Sequence, residues 1–559
     1  MKDGQRLTQS PKNWLWMMAN MNRHPLSAKA NLYFHLQLEL VCHLVDALAV
    51  ITQFSEVFPM LPKYPHIILI MTDQQRFDTI AEWGYDYAIT PHQDRLVREG
   101  LSCRQAYCPG ATCIASRAAI FTGMYPPHTT GTYTFQYWGD QRTWVQDLAD
   151  HGYRCVNIGK MHFSPRDISG GFHERVIVEN PTNKTQASGG VDDDWGCYLS
   201  FHGLERPNDR NQTDPDWLKK YQGVPWHYEE RFHSDVFIGN SAESWIKAYK
   251  GDQPVFLQVG FTGPHEPWDP LQRHLDWYKD KLMPPRYMRE GELDEKPPQH
   301  QAHQEFHAAT KHESQIDLRG ASEADIAEMK RHYHAKITTV DEELGKVLIA
   351  LEERGWLADS LLIFCSDHGE LLGDHNLAYK WLMYDPIVHV PMIIRHPSSI
   401  EQPSEVHDLV SLMDIGPTIL EAVGIDIPTY MEGRSLLPYL RGEAIKPREF
   451  VFCEDNYQIM MRNQTHKLVY YISQAEEGEL YDLQTDPHEL YNLWHKSEHQ
   501  AVKNDLHLKL LDWLAASNYY NAGYKQNRTR HYGLRWPGNG DYGLHGGGQN
   551  MKPKQVDVL

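Results

Sequence analysis

Three apolar runs of this chain each end in polar residues, and this arrangement limits the folds that the sequence can form. Residues 66–74 read His-Ile-Ile-Leu-Ile-Met-Thr-Asp-Gln, residues 361–368 read Leu-Leu-Ile-Phe-Cys-Ser-Asp-His, and the run 255–260 leads into Phe-Thr-Gly-Pro-His-Glu-Pro. A continuous apolar run of this kind is typical of a strand buried on both faces of a parallel sheet. Ligands bind in the crevice at the carboxyl ends of such strands. The sequence therefore predicts a buried sheet with a polar site at one edge.

The alternation of apolar strands with helices extends from residue 64 to about residue 440. Further strands are predicted at 153–158 and 392–395. This order indicates an α/β sandwich around a largely parallel sheet. From about residue 445 the pattern changes to short strands at 449–454, 467–472 and 479–483, followed by one helix that ends near residue 515.

Two stretches interrupt this alternation. Residues 183–230 are polar and aromatic, and residues 284–320 are rich in Pro, His and charge. Long segments of this kind in a compact domain are usually functional loops. We expect both to be long loops over the active-site face.

Four polar residues at two of the predicted strand ends form a candidate metal site, namely Asp73, Gln74, Asp367 and His368. Their side chains are mostly hard oxygen donors, which suit one Ca²⁺, Mg²⁺ or Mn²⁺ ion better than a soft metal. Taken singly, each residue fits equally well as a satisfied strand-end group or a helix cap. The occurrence of two such pairs favours the metal site.

Cys113 lies in the run Ala-Thr-Cys-Ile-Ala-Ser-Arg-Ala-Ala-Ile-Phe-Thr-Gly at residues 111–123. The apolar pattern at 116–121 predicts a short helix that begins beside Cys113. A helix N-terminus favours an anion, and Arg117 lies one turn further along on the same side. The alternative is a small buried cysteine in a strand-to-helix turn. The pattern indicates a cysteine prepared for chemistry.

Residues 111–123 resemble the first signature of the sulfatase family of the alkaline-phosphatase superfamily. The run 152–162, Gly-Tyr-Arg-Cys-Val-Asn-Ile-Gly-Lys-Met-His, resembles the second signature, and residues 480–493 resemble the family's C-terminal subdomain. The resemblance covers about residues 64–515. It implies an α/β, alkaline-phosphatase-like sandwich with a large mixed, mostly parallel sheet between helices, plus a small C-terminal antiparallel sheet with one helix. It also implies that Cys113 is converted to formylglycine, whose hydrated aldehyde is the nucleophile.

The family resemblance further implies one divalent cation, with Ca²⁺ as the first choice and Mn²⁺ or Mg²⁺ as alternatives. Its ligands would be Asp73, Gln74, Cys113 in its modified form, Asp367 and His368. Lys160 and Lys380 would contact the sulfate oxygens, because an anionic ester must be neutralised before an oxygen nucleophile can reach sulfur.

The remaining roles implied by the resemblance concern protons. Arg117 would bind the formylglycine diol and favour its ionised form. His265 would protonate the departing alcohol or phenol. His162 would take the proton from the second diol hydroxyl, so that the sulfated residue collapses to aldehyde and inorganic sulfate.

The implied function is hydrolysis of an aryl, alkyl or sugar sulfate monoester to an alcohol and inorganic sulfate. The alternatives are a phosphonate monoester or phosphodiester hydrolase with the same nucleophile, and an inactive homologue in which Cys113 is never modified. Gln74 and His368 resemble the choline-sulfatase and phosphonate-monoester-hydrolase branches, whereas residues 159–163, Gly-Lys-Met-His-Phe, are closer to the sulfatases.

Two residues of the modification site depart from the commoner family pattern. Ala115 stands where proline is commoner, and Ile114 stands where a small residue is usual. This variant is similar to the sites handled by radical-type maturases, so a formylglycine-generating maturase is an expected partner. The sequence identifies neither that maturase nor the sulfate ester.

The chain of 559 residues is long enough for a large domain and a smaller one. We expect an N-terminal extension at 1–63, a catalytic domain at 64–444, a C-terminal α+β subdomain at 445–515 and an irregular arm at 516–559. A homo-oligomer could form through that arm.

Charge and composition exclude some partners. The net charge of −20 and the lack of a basic run interleaved with aromatic residues disfavour nucleic acid. The apolar stretch 36–51 is interrupted by Glu39, His43 and Asp46, so we expect an amphipathic helix and no membrane span. Scattered cysteines and no clear signal peptide favour the cytoplasm, while a periplasmic or secreted location stays open.

Overall fold

The computed structural model describes residues 65–126, 142–179, 192–207, 221, 223–309, 315–397, 404–455, 457–474 and 476–521. The predicted extension at 1–63 and residues 522–559 of the predicted arm lie outside these ranges. The domain boundaries therefore stay predictions. None of the helices in the described ranges is both long enough and apolar enough to cross a membrane.

Strands and helices alternate through most of the chain, and short strands precede the last helix. The strands are β1 (Ile67–Asp73), β2 (Leu101–Cys103), β3 (Ala106–Tyr107), β4 (Arg154–Gly159), β5 (Glu174–Ile177), β6 (Val255–Pro264), β7 (Leu361–Ser366), β8 (His389–Val390), β9 (Met392–Arg395), β10 (Ser404–Val406), β11 (Val410–Ser411), β12 (Val451–Asp455), β13 (Gln458–Arg462), β14 (His466–Tyr471) and β15 (Gly478–Asp482). The helices are α1 (Pro91–Glu99), α2 (Cys113–Thr122), α3 (Trp144–Asp150), α4 (Asp194–Phe201), α5 (Ser234–Ala248), α6 (Gln272–Trp277), α7 (Pro298–Ala309), α8 (Glu323–Glu353), α9 (Asp385–Val388), α10 (Ile415–Ala422), α11 (Leu437–Leu440) and α12 (Gln500–Asn521).

The main sheet has the strand order β10-β2-β9-β7-β1-β6-β4-β5 among the described residues. Strands β7, β1, β6, β4 and β5 run parallel to one another, whereas β9 is antiparallel to both β7 and β2. In the centre, Thr72 of β1 pairs with Ser366 of β7, so the carboxyl ends of these strands lie side by side. The predicted large, mixed and mostly parallel sheet is confirmed.

The central strands are apolar on both faces because both faces are covered. Alternate residues of β1 contribute to two separate cores: Ile67, Leu69 and Met71 face one, and Ile68 and Ile70 face the other. The first core also contains residues of α2 and α3, and the second contains residues of α5 and of the 31-residue helix α8. A continuous apolar run is the sequence expected for strands buried in this way.

The C-terminal strands β12 to β15 form a separate antiparallel sheet. One face of this sheet adds Val451, Cys453 and Met460 to the first core, and its other face packs against Leu510 and Trp513 of α12. The predicted small sheet with one helix is confirmed. Strand β13 was not predicted, and α12 continues past residue 515 to residue 521.

The two stretches expected to be loops are not entirely so. Helix α4 lies within 183–230, and α7 lies within 284–320. Helix α7 is polar in composition, but His300, His303 and His307 are all buried. Because these histidines recur at helical spacing, they form the inward face of α7, which a search for apolar residues alone does not find.

Candidate active site

Consecutive strands of the main sheet bring the predicted polar residues to one edge. From β7 to β1, β6 and β4, the strand ends supply Asp367, Asp73, His265 and Lys160 in that order. Asp73, Asp367 and Lys160 are fully buried, and His265 is almost so. The sheet therefore concentrates charged groups in a place from which water is largely excluded.

The pairs Asp73–Gln74 and Asp367–His368 are joined through one carboxylate oxygen. The backbone N–H groups of Gln74 and His368 both donate to Asp367 Oδ1, at 3.1 Å and 2.9 Å. Gln74 has a left-handed backbone, with φ of 69°. This conformation ends the strand and turns the side chain of Gln74 toward the same cluster.

Cys113 lies between this cluster and a lysine. It is the first residue of α2, and its Sγ atom is 3.2 Å from His368 Nε2 and 3.1 Å from Lys380 Nζ. Burial raises the pKa of the Cys113 thiol, but Lys160, Lys380 and His368 together hold that pKa well below its ordinary value. The structure thus confirms the predicted helix start and places the cysteine where negative charge is stabilised.

Four donor atoms of the cluster lie close enough together to hold one metal ion. One ligand atom each from Asp73, Cys113, Asp367 and His368 lies within 4.8 Å of the others. Among the described residues, Asp73 Oδ1 is buried and has no hydrogen-bond partner. His368 Nδ1 lies 2.8 Å from the carbonyl oxygen of Gly369, which can only accept, so Nε2 is left to face the cluster. The remaining predicted ligand, Gln74, directs its Oε1 toward Lys380 Nζ at 2.7 Å.

Arg117 lies one helical turn beyond Cys113, as predicted, and is fully buried. Its Nε donates to Asp367 Oδ2 at 2.7 Å, and its Nη1 donates to the carbonyl oxygen of Lys160 at 2.8 Å. Both side chains of the Arg117–Asp367 ion pair have no exposed surface. The guanidinium therefore links the end of β7 to the end of β4 directly behind Cys113.

Lys160 and His162 come from the loop that follows β4. Lys160 Nζ forms an ion pair with Asp73 Oδ2. His162 has a left-handed backbone, with φ of 61°, and its N–H donates to Glu179 Oε1 at 3.1 Å. A hydrogen bond from the His162 side chain contributes to the lowered pKa of Cys113. The structure thus brings Lys160 beside Asp73 and His162 beside Cys113.

Lys380 comes from a long loop after β7 and is positioned by contacts with several elements. The residues on either side of it, Tyr379 and Trp381, are both left-handed, with φ of 71° and 76°. His303 of α7 lies 2.8 Å from the carbonyl oxygen of Lys380, and Gln458 of β13 donates to that of Trp381 at 3.0 Å. Cys113, Glu266 and Asp73 outweigh burial and raise the pKa of Lys380, so this lysine stays cationic.

Two buried carboxylates beside this cluster were not predicted. Glu266 and Glu370 both accept a hydrogen bond from Gln74 Nε2. Each lies within a polar segment that follows an apolar run, but nothing in the sequence distinguishes these two glutamates from ordinary strand-end residues. His303 was likewise hidden in a stretch predicted to be a loop.

The fold and the site place a buried cysteine among two buried lysines and two buried carboxylates that could hold a metal ion. A family model described as Sulfatase matches residues 65–425, and one described as N-sulphoglucosamine sulphohydrolase, C-terminal, matches residues 373–516. The first match covers more than half of the chain. The chain belongs to the sulfatase family, and it is a sulfuric ester hydrolase by family.

Individual relatives agree with this assignment. An arylsulfatase of Clostridium perfringens is 29% identical over 456 residues, which cover 78% of this chain and 91% of that protein. A choline-sulfatase of Rhizobium meliloti is 25% identical over 77% of this chain and 82% of its own length. The solved phosphonate monoester hydrolase of Agrobacterium radiobacter superposes with a TM-score of 0.68 at 22% identity, covering 81% of this chain and 96% of that one. The predicted family and alkaline-phosphatase-like fold are confirmed.

Proposed function

We propose that this chain hydrolyses a small sulfate monoester with residue 113, matured to formylglycine, as nucleophile and with one divalent cation at Asp73, Gln74, Asp367 and His368. The observation that carries the proposal is the position of Cys113. Its Sγ atom lies within hydrogen-bonding distance of both Lys380 Nζ and His368 Nε2 in a buried site. A structural cysteine needs neither a lysine nor a histidine beside it.

The proposed cation and the modified residue would supply charge neutralisation and an oxygen nucleophile, respectively. Ca²⁺ is the proposed ion because carboxylate and amide oxygens predominate among the donors. Mn²⁺ and Mg²⁺ are the alternatives. A maturase that recognises the segment around Cys113, including Ala115, is the partner this proposal requires.

The chain's own residues supply the remaining chemistry. Lys160 and Lys380 are two buried ammonium groups, of which Lys380 contacts residue 113 and Lys160 contacts Asp73, and they would bind the oxygens of an anionic ester. His265, at the end of β6, would donate a proton to the departing oxygen. His162, which makes a hydrogen bond to residue 113, would accept a proton there.

A phosphonate monoester or phosphodiester is the second candidate substrate. Its basis is the resemblance of Gln74 and His368 to the residues of the choline-sulfatase and phosphonate-monoester-hydrolase branches. The structural similarity to a phosphonate monoester hydrolase is consistent with this alternative. Both candidates use the same nucleophile, so only paired substrates separate them.

Peptide mass and paired turnover test the proposal. We expect the peptide that contains Cys113 to carry an aldehyde in active protein, while the peptide with the exposed Cys197 keeps its thiol as an internal control. Nitrophenyl sulfate should be hydrolysed faster than the matching phenylphosphonate ester. Chelation should stop turnover, and Ca²⁺ should restore it. An active preparation with an unmodified Cys113 would contradict the proposed nucleophile.

A further inference from the structure

The side-chain amide of Gln74 lies between two buried carboxylates. Its Nε2 donates to Glu266 Oε2 at 3.0 Å and also to Glu370 Oε2, while its Oε1 accepts from Lys380. Glu266 and Glu370 are almost fully buried. Burying two carboxylates together is costly unless donors satisfy them. The amide at position 74 supplies such a donor, whereas a carboxylate there would add a third negative group.

The two carboxylates then reach different parts of the site. Glu370 Oε1 accepts from the backbone N–H of Leu372, at 3.0 Å, and of Tyr379, which precedes Lys380. Glu370 therefore orients the loop that carries Lys380. Glu266 instead contacts His265, whose Nδ1 lies 3.2 Å from Glu266 Oε2 and 2.8 Å from the Glu266 carbonyl oxygen.

These contacts determine which nitrogen of His265 faces the reaction. A carboxylate and a carbonyl oxygen can only accept, so the proton on Nδ1 is directed to Glu266. The other ring nitrogen, Nε2, is then the one that would serve the ester. Since Glu266 Oε2 is also bonded to Gln74, the carboxylate cannot rotate away without losing that bond.

We propose that Glu266 is a positioning residue for His265: by accepting from Nδ1–H it fixes the direction of the ring, so that the second proton of the imidazolium lies on Nε2 and passes from there to the departing oxygen. This inference rests on the proposed function, in which His265 is that proton donor. Glu370 is equally buried and contacts the same amide, but its other side-chain hydrogen bonds are to the backbone of Leu372 and Tyr379, so it is the matched control. Comparing substitutions at these two glutamates separates a specific effect on His265 from a general disturbance of Gln74.

The test compares Glu266→Gln with Glu370→Gln on nitrophenyl sulfate and on an alkyl sulfate. Protonation matters little for nitrophenolate and greatly for an alkoxide. We expect Glu266→Gln to lose on the order of 10-fold to 100-fold more kcat on the alkyl sulfate than on the aryl sulfate. Glu370→Gln should lose similar factors on both substrates. Equal losses across substrates in Glu266→Gln would overturn the inference.

Control measurements and a double variant accompany this comparison. Metal content and thermal unfolding are measured for both variants, because both contact the predicted ligand Gln74; similar values exclude a difference in loading or folding. In a His265→Ala background, Glu266→Gln should add no further dependence on the leaving group, and an additive loss would contradict the inference. If Glu266→Gln does not fold, Glu266→Asp, which is too short to reach both partners, carries the same comparison.

The controls also distinguish this inference from the proposed function. If His265→Ala itself shows no dependence on the leaving group, the assignment of His265 as the proton donor fails. If His265→Ala shows that dependence and Glu266→Gln does not, only the positioning role of Glu266 fails.

Discussion

The strand ends and the Lys380 loop supply charged groups to the same site in different ways. The strand ends place Asp367, Asp73, His265 and Lys160 at one edge because β7, β1, β6 and β4 are hydrogen-bonded in register. The loop after β7 places Lys380 through side-chain contacts from other elements. The first arrangement follows from sheet formation, whereas the second needs each of those contacts.

Backbone conformation separates the two regions further. Tyr379 and Trp381, on either side of Lys380, are both left-handed, a conformation that costs a non-glycine residue about 1–2 kcal/mol. The surrounding contacts must offset that cost. We therefore expect substitutions at the strand ends to cause large effects singly, and substitutions around Lys380 to cause smaller effects that depend on one contact at a time.

The largest expected effect is at Cys113, which both regions contact. Cys113→Ala removes the nucleophile, so turnover of nitrophenyl sulfate should fall by several orders of magnitude. Cys155, a buried cysteine of β4 outside the site, is the control: Cys155→Ala should retain most of the activity. Comparable activity in the two variants would mean that residue 113 is not the nucleophile.

The next effect tests the strand ends through stability. Asp367→Asn leaves the buried Arg117 guanidinium without its ionised partner, and breaking a buried pair in this way costs about 3–5 kcal/mol. Urea unfolding of the metal-free protein measures this cost. The control is the exposed ion pair between Glu449 Oε1 and Lys509 Nζ, which are 3.0 Å apart. Glu449→Gln breaks this pair and should cost only about 0–1 kcal/mol. Equal losses in the free energy of unfolding would show that the buried pair stabilises the protein no more than the exposed pair does.

The sequence predicted the strand ends much better than the loop. The apolar runs predicted where β1 and β7 end, although β6 continues past its run to Pro264. The polar residues after the three runs proved to be neighbours because parallel strands share one edge. Lys380 was assigned only through family resemblance, since its position depends on His303, Glu370 and Gln458, which are distant in sequence. Contacts of that kind leave no periodic signal.

A third prediction addresses protonation at the strand ends. His265→Ala should lower turnover of an alkyl sulfate by about 10²-fold to 10⁴-fold, because an alkoxide leaves poorly without a proton. Nitrophenyl sulfate should be much less affected. A uniform loss across a series of substituted phenyl and alkyl sulfates would assign His265 a role in binding and leave the proton donor to be found elsewhere.

The smallest effect concerns one contact of the Lys380 loop. Burial lowers the pKa of His303 to about 4, so His303 is neutral at pH 7 and its Nε2–H donates to the Lys380 carbonyl oxygen at 2.8 Å. His303→Gln should cost about 0.5–1.5 kcal/mol of stability at pH 7 and at most about tenfold in turnover.

Between pH 6.5 and 4 the unfolded chain binds a proton at His303 that the folded protein does not, so the native chain loses stability as the pH falls. The His303→Gln variant has no group that titrates at this position. The difference in free energy of unfolding between the native chain and the variant should therefore become smaller from pH 7 to 6 to 5, as measured by urea unfolding. A deficit for His303→Gln that stays constant with pH would mean that His303 is not held neutral against Lys380.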